Sequence, residues 1–455
     1  MATRKLALLS VLAAPVASVQ VQSEQSFGVP AYLWPSARGR VGQYSASPYP
    51  GVPQVSSKLS WSWNHPQGKY HTVTLGTLLD DKANVYLSAD DAIRKFDKDG
   101  HLLWTYTPPW GGKVPTTPSI YQGQLYGSTR NGRVFALSME TGKQAWSTRV
   151  CREINGDTGV VGAYGGVIVA ATDAKDGANR KVRGLRSRDG SKLWEFTADA
   201  PVYNFMPSFV DDRSFVFQDV EGRAYNLKLQ SGKTIWKNGG LPGTATEGTA
   251  LLGENGIMYA MSLHGNAFSG NATADTPGSL SAYRLKDGRM LWSQVVPRPP
   301  TALPAVGRLS ASGGLSVVLP VGQRCSKSQS DVYAFDAATG AQQWKWEGPF
   351  NAAGSCAGDM EGFQLRKTLG IRNMCLPTGW GAPSVDGDGV VYVGNQNGQF
   401  YSIKDLNSDG VIDGNTEVSS YNSGAAFSSP GSSHGPGMVA VASCDSLFVF
   451  KDNTI

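Results

Sequence analysis

The chain has 455 residues, a formal charge of +5, 17% charged and 40% hydrophobic residues, 55 Gly and 25 Pro. That apolar content supplies a core and excludes an intrinsically disordered chain, while the small net charge and the lack of Lys/Arg runs exclude a basic nucleic-acid binder. Gly and Pro together make about 18% of the residues, which points away from helices and towards an all-β protein rich in turns.

Residues 1–18 read as an export signal. Arg4 and Lys5 precede an apolar run from Leu6 to Val16 that is too short to cross a bilayer, and Val16-Ala17-Ser18 offers small residues for cleavage after Ser18. A secreted or lumenal protein without a membrane span is expected. Residues 19–54 read as an extended Pro/Ser-rich lead-in, and residues 55–455 as a single repeat domain.

The repeat is the main signal. Val85-Tyr86-Leu87 leads to Ile93–Phe96, then Asp99-Gly100, then Trp104; Leu125-Tyr126-Gly127 leads to Val134–Leu137, then Thr141-Gly142, then Trp146. The pattern returns at Gly190 and Trp194, Gly232 and Trp236, Gly288 and Trp292, and Gly340 and Trp344, always with four residues from Gly to Trp and with Trp-to-Trp steps of 42, 48, 42, 56 and 52. A period of this length marks a repeat architecture. Each unit reads as a small sheet that buries too little by itself, and a ring of such sheets covers every face while leaving no long open edge. Regular spacing assigns these Trp residues to packing rather than to a ligand.

Val391–Gly394 and Gln399–Ile403 start a seventh unit, with Val418 in the Trp position. Val439–Ala442 and Leu447–Phe450 start an eighth that lacks its outer strand. Leu59-Ser60-Trp61-Ser62-Trp63 resembles the strand around Trp344-Lys345-Trp346 and is expected to supply it. The prediction is an eight-bladed β-propeller of four-stranded antiparallel blades, closed by an N-terminal strand pairing with the C-terminal strands. Seven blades is the alternative.

These units resemble the pyrroloquinoline-quinone (PQQ) type propeller repeat, and Leu125–Trp146, with Thr141-Gly142-Lys143, is the best copy. Trp34-Pro35, Arg38-Gly39 and Gln43-Tyr44-Ser45 resemble the lead-in of secreted members, so the resemblance covers about residues 30–455. It implies the fold but not one activity: the family includes alcohol and sugar dehydrogenases and a bacterial outer-membrane assembly lipoprotein. An alcohol-type dehydrogenase would carry adjacent Cys residues, a pocket calcium and an aspartate base. This chain has no adjacent Cys pair, and no residue here matches the base. No catalytic residue is assigned and PQQ is not expected; the alternative is a PQQ-dependent oxidoreductase acting on alcohols or sugars.

The strongest site signal is Asp405-Leu406-Asn407-Ser408-Asp409-Gly410-Val411-Ile412-Asp413. Asp405, Asn407, Asp409 and Asp413 put oxygen ligands at positions 1, 3, 5 and 9, with Gly410 at 6 and the Val411 carbonyl at 7. Position 12 is Thr416 and Glu417 lies one beyond, so the loop departs from an EF-hand and resembles the calcium loops of integrin-type propellers. A structural calcium is expected; the alternative is a solvated Asp/Asn/Gly turn.

Other chemistry is sparse. His65, His71, His101, His264 and His434 show no ligand spacing, and Asp80-Asp81 and Asp90-Asp91 read as solvated turns. Phe350–Pro383 interrupts the strand rhythm and reads as a cover or binding segment at the channel mouth, with a short helix over Phe363–Ile371 and a Cys356–Cys375 disulfide. Ser262–Ser279, which contains the sequon Asn271-Ala272-Thr273, reads as a surface loop. The sequence thus points to a binding or scaffold propeller, monomeric, with a protein or glycan partner at its loop face and no evident catalytic site.

Overall fold

Eight antiparallel sheets follow one another along the chain and around a common axis in the computed structural model. The structure describes residues 32–452 apart from 116, 155–159, 173–178, 242–243, 247–249, 266–272, 274, 301, 324–325, 359–367 and 369–378. Blades 1 to 7 span residues 74–106, 119–149, 161–197, 208–237, 244–296, 305–350 and 384–422, each with its first strand innermost. Blade 5 departs from four strands, because both Thr244–Ala245 and Leu251–Leu252 pair with Ile257–His264. Blade 8 takes three strands from residues 427–451 and its outer strand from Leu59–Asn64.

That last pairing closes the ring as the sequence predicts. Trp61 faces Val449, Trp63 faces Leu447 and Asn64 faces Ser446 in an antiparallel register. Second and third strands are buried on both faces, as in Val85–Ala89 and Ile93–Phe96, because each is sandwiched between neighbouring blades. Outer strands such as Leu102–Tyr106 keep one side in solvent.

The repeating Trp and Gly turn out to be two halves of one joint. The Trp on the outer strand of one blade packs on the turn Gly of the next: Trp61 on Gly100, Trp104 on Gly142, Trp146 on Gly190, Trp194 on Gly232, Trp236 on Gly288 and Trp292 on Gly340. A Cβ on any of these glycines would lie 2.5–2.9 Å from the nearest ring atom, and their φ values run from +65° to +95°. Glycine is therefore required both for the turn and for the close approach. Each indole Nε1 also donates to a carbonyl of the same turn, from 2.7 Å at Leu229 and Leu285 to 3.3 Å at Ala337. A bulge at each Trp from Trp104 to Trp344 turns the ring towards its neighbour.

Candidate functional site: the pore and the blade 7 loop

The lead-in is part of the propeller body. Trp34 bridges Leu79 of blade 1, Pro35 accepts from the Ile120 amide of blade 2, and the Tyr44 hydroxyl donates to Phe209 of blade 4. Ala46 pairs with Val385 of blade 7, and the Gly51 and Val52 amides donate to Asp386 and to the Tyr392 hydroxyl. A small hairpin, Gly39–Arg40 against Gln43–Tyr44, sits within the ring of inner strands. Ala37 joins an apolar cluster with Val160, Met206, Leu303 and Ala382, which shortly precede the inner strands of blades 3, 4, 6 and 7, and with Val306 of blade 6. The chain thus fills its own pore from the side of the hairpin turns. The composition of residues 19–54 reads as an extended lead-in, and these long-range contacts show that its described residues belong to the ring.

Polar groups are buried along the same path. His434 is fully buried, its Nε2 within 2.6 Å of Ser384 Oγ and 3.1 Å of Ser432 Oγ, and its ring lies 5.2 Å from Trp34 and 4.9 Å from Tyr392. Burial holds this imidazole down to about 3, so it stays neutral. The expectation of solvated turns is corrected for Asp80 and Asp90, which are both buried. Asp80 accepts from the amides of Lys82 and Asn84 and from the Tyr86 hydroxyl, and Asp90 pairs with Lys113 at 2.7 Å. The Asp80–Tyr86 lock, six residues apart, recurs as Asp219–Tyr225 and Asp386–Tyr392. Burial raises the carboxyls of Asp90, Asp219 and Asp386. His65 and His71, scattered in sequence, lie with ring centres 5.7 Å apart, and His65 meets Asp91 at 3.6 Å.

The loop at Asp405 sits where other blades place the turn Gly. Its strand partners, Gln399–Ile403 and Val418–Asn422, hold it against the outer strand of blade 6, where Val411 makes a parallel bridge with Lys345. The structure divides the five expected ligands. Asp405 points inward: its Oδ2 accepts from the Gly410 amide at 3.1 Å, while its Oδ1 is buried with no described partner. Asn407 and Asp409 lie on the exposed rim, 2.9 Å apart. Asp413 turns outward to the Asn415 amide and the Thr416 hydroxyl, which hold its carboxyl below the ordinary range. The Val411 side chain is exposed.

Glu417, which a position-12 rule sets aside, is the buried carboxylate of this loop. It accepts from the amides of Leu406 at 2.6 Å and Asp413 at 2.8 Å. Its place directly before the strand at Val418 was the available signal. Among the described residues no three His, Cys, Asp or Glu side chains form a metal cluster.

Most of the Phe350–Pro383 segment, including Asp359, Glu361, Arg366, Lys367, Arg372, Cys375 and all of the expected helix but Thr368, lies outside the described residues. The Cys356–Cys375 pairing lies there too. The described ends are well anchored. Ala357 exchanges backbone bonds with Gln396 and Ala426, and Cys356 is buried beside Val73 and Ala425. Trp380, 1% exposed, donates to the Val321 carbonyl and packs on Trp346 and Tyr401, so it belongs to the blade 6–7 joint.

Comparison with known proteins agrees with this architecture. Residues 89–251 match the family model described as outer membrane protein assembly factor BamB. The assembly factor BamB of Burkholderia pseudomallei is 24% identical over 272 residues, covering 57% of this chain and 62% of that protein. A tetrathionate hydrolase of Acidithiobacillus ferrooxidans is 27% identical over 219 residues, covering 44% of this chain and 39% of that one. The chain therefore spans less than two thirds of either curated relative. Among solved structures, the quinohemoprotein alcohol dehydrogenase of Comamonas testosteroni superposes with a TM-score of 0.58 at 13% identity, over 92% of this chain and 80% of that one. Repeat, ring and matches together identify the chain as a β-propeller of the PQQ repeat type.

Proposed function

We propose that the chain is an exported binding scaffold that presents a protein partner with the face where the inner strands begin. The observation that carries this reading is the filled pore. Residues 32–55 occupy it from the hairpin-turn side, so recognition is left to the opposite face, which carries the connections between blades and the anchored ends of the Phe350–Pro383 segment. Similarity to an assembly factor supports a protein over a glycan as partner. Among the described residues no helix is long and apolar enough to cross a membrane.

What supports a scaffold over a quinone-dependent oxidoreductase is the placement of the aromatic side chains. Trp380 is buried in a blade joint, and the repeated Trp rings lie on turn glycines. We further assign a structural calcium to the Asp405 loop. The orphaned Asp405 Oδ1 supplies an anionic ligand already turned inward, and the bridge from Val411 to Lys345 would make the ion a clamp between blades 6 and 7.

The test combines two assays on the purified protein. Photocrosslinking residues at Asn131 and Asn397, on the connection face, should capture a protein partner, while residues at Asp99 and Thr141, on the opposite face, should not. Turnover of an alcohol or sugar with an artificial electron acceptor after loading with PQQ and calcium would overturn the scaffold reading.

A further inference from the structure

At the seam between blades 6 and 7 the repeating joint lacks its hydrogen bond. At the six regular junctions the indole Nε1 donates to a carbonyl of the next turn, that of Lys98, Met139, Ser187, Leu229, Leu285 or Ala337. Trp344 holds the same position on the outer strand of blade 6, and its Nε1 has no described acceptor. Neither glycine of the following loop reaches its ring: a Cβ on Gly410 would meet the Gln343 carbonyl at 2.9 Å, and one on Gly414 the Trp346 ring at 3.9 Å. Across the seam, Asp405 Oδ1 is equally without a described partner. An indole N–H calls for an acceptor and an ionised carboxylate for a donor.

Trp344 and Asp405 line one groove of about 290 Å³ between blades 6 and 7. None of the described lead-in residues lines it, so the filled pore leaves it open. Gly313, Gly314, Gly389 and Gly410 form much of the rest of its wall, and glycine is the residue that lets another backbone approach closely. The charge is one-sided. From Lys404 to Glu417 the chain carries four carboxylates, on Asp405, Asp409, Asp413 and Glu417, against the one lysine. A ligand that meets all three conditions brings a carbonyl for Trp344, a cation for Asp405 and a slim main chain for the glycine wall.

We infer that this groove binds a short basic peptide segment, with a backbone carbonyl on Trp344 Nε1 and a lysine ammonium on Asp405. The inference stands apart from the partner proposed for the connection face. The probe is acetyl-Gly-Lys-Gly-amide, with the glutamate analogue and the neutral norleucine analogue as controls. Each is titrated into the purified protein in EDTA, because calcium would claim the same carboxylate. The indole N–H resonance of Trp344, identified by its loss in Trp344→Phe, should move saturably with the lysine peptide while the other indole resonances stay in place. The two controls should bind at least about tenfold more weakly, and Asp405→Asn should weaken the lysine peptide by about fivefold or more. Ser310→Trp, at an exposed position of the groove wall, keeps both anchors and should abolish the response while the variant remains folded. Equal binding of the three peptides, a shift shared by all indoles, the lack of a saturable shift, or full binding by Asp405→Asn or Ser310→Trp would each overturn the inference, leaving the groove as a solvent-filled seam.

Discussion

Six blade junctions use one device and the two around blade 7 do not. At the regular junctions an indole lies on a glycine turn and donates to it, so one residue pair supplies apolar contact, a hydrogen bond and a backbone requirement together. At the blade 6–7 junction the turn is replaced by the Asp405 loop, and Trp344 and Asp405 line a groove instead. At the blade 7–8 junction Ser384, Ser432 and His434 form a buried polar contact. The comparison teaches that repetition fixes the ring where packing alone suffices, and that the deviations gather where the lead-in crosses the wall.

Four perturbations sharpen or break this contrast. The largest effect is expected at a regular junction: Trp194→Ala removes a ring that is 7% exposed and should cost about 3–5 kcal/mol in urea unfolding. A loss below about 1 kcal/mol would mean that the indoles are ornamental.

The polar junction should respond to acid. His434 is neutral in the folded protein and falls to about 3, whereas the unfolded chain takes up a proton near 6.5. The unfolded state therefore binds more protons between these values, and stability falls as the pH drops from about 6.5 towards 3. At pH 4.5 the loss attributable to this residue is about 3 kcal/mol. His434→Gln should remove that part of the slope, measured as the difference in urea midpoint between pH 7 and pH 4.5; an unchanged slope would place the acid response elsewhere.

Glycines divide in the same way. Gly190→Ala puts a Cβ 2.5 Å from Trp146 at a φ of +71° and should cost about 2 kcal/mol. Gly414→Ala meets its nearest atom at 3.9 Å and should change stability by less than about 0.5 kcal/mol. Equal costs would remove the distinction between regular and irregular junctions.

The smallest effect concerns the loop. Calcium at ten times its dissociation constant should raise the melting temperature by about 2 °C. That rise should vanish in Asp405→Ala and shrink in Asp409→Ala. A rise that survives Asp405→Ala would refute the site.

The ring was legible because its evidence is local and repeated. The Gly-to-Trp interval, the seventh unit at Val391, and the likeness of Leu59–Trp63 to the strand at Trp344 all lie in short stretches. What stayed hidden depends on contacts between distant segments. Asp80 and Asp90 look like any charged turn until Tyr86 and Lys113 arrive. His434 gives no signal in its own neighbourhood, since Trp34 and Ser384 are brought to it by the fold. The Asp405 loop was found by spacing, but spacing did not show that Glu417 lies inside while Asp413 faces out.

The shared eighth blade has a consequence for how the chain reaches its final form. Its strand at Leu59–Asn64 is made well before its partner at Ser446–Lys451, with 382 positions from Asn64 to Ser446, so the ring cannot be completed until both have emerged. Joining segments so remote is slow. A newly made molecule therefore passes through an open arc with unpaired edges, exposed to proteases and mispairing until the two strands meet.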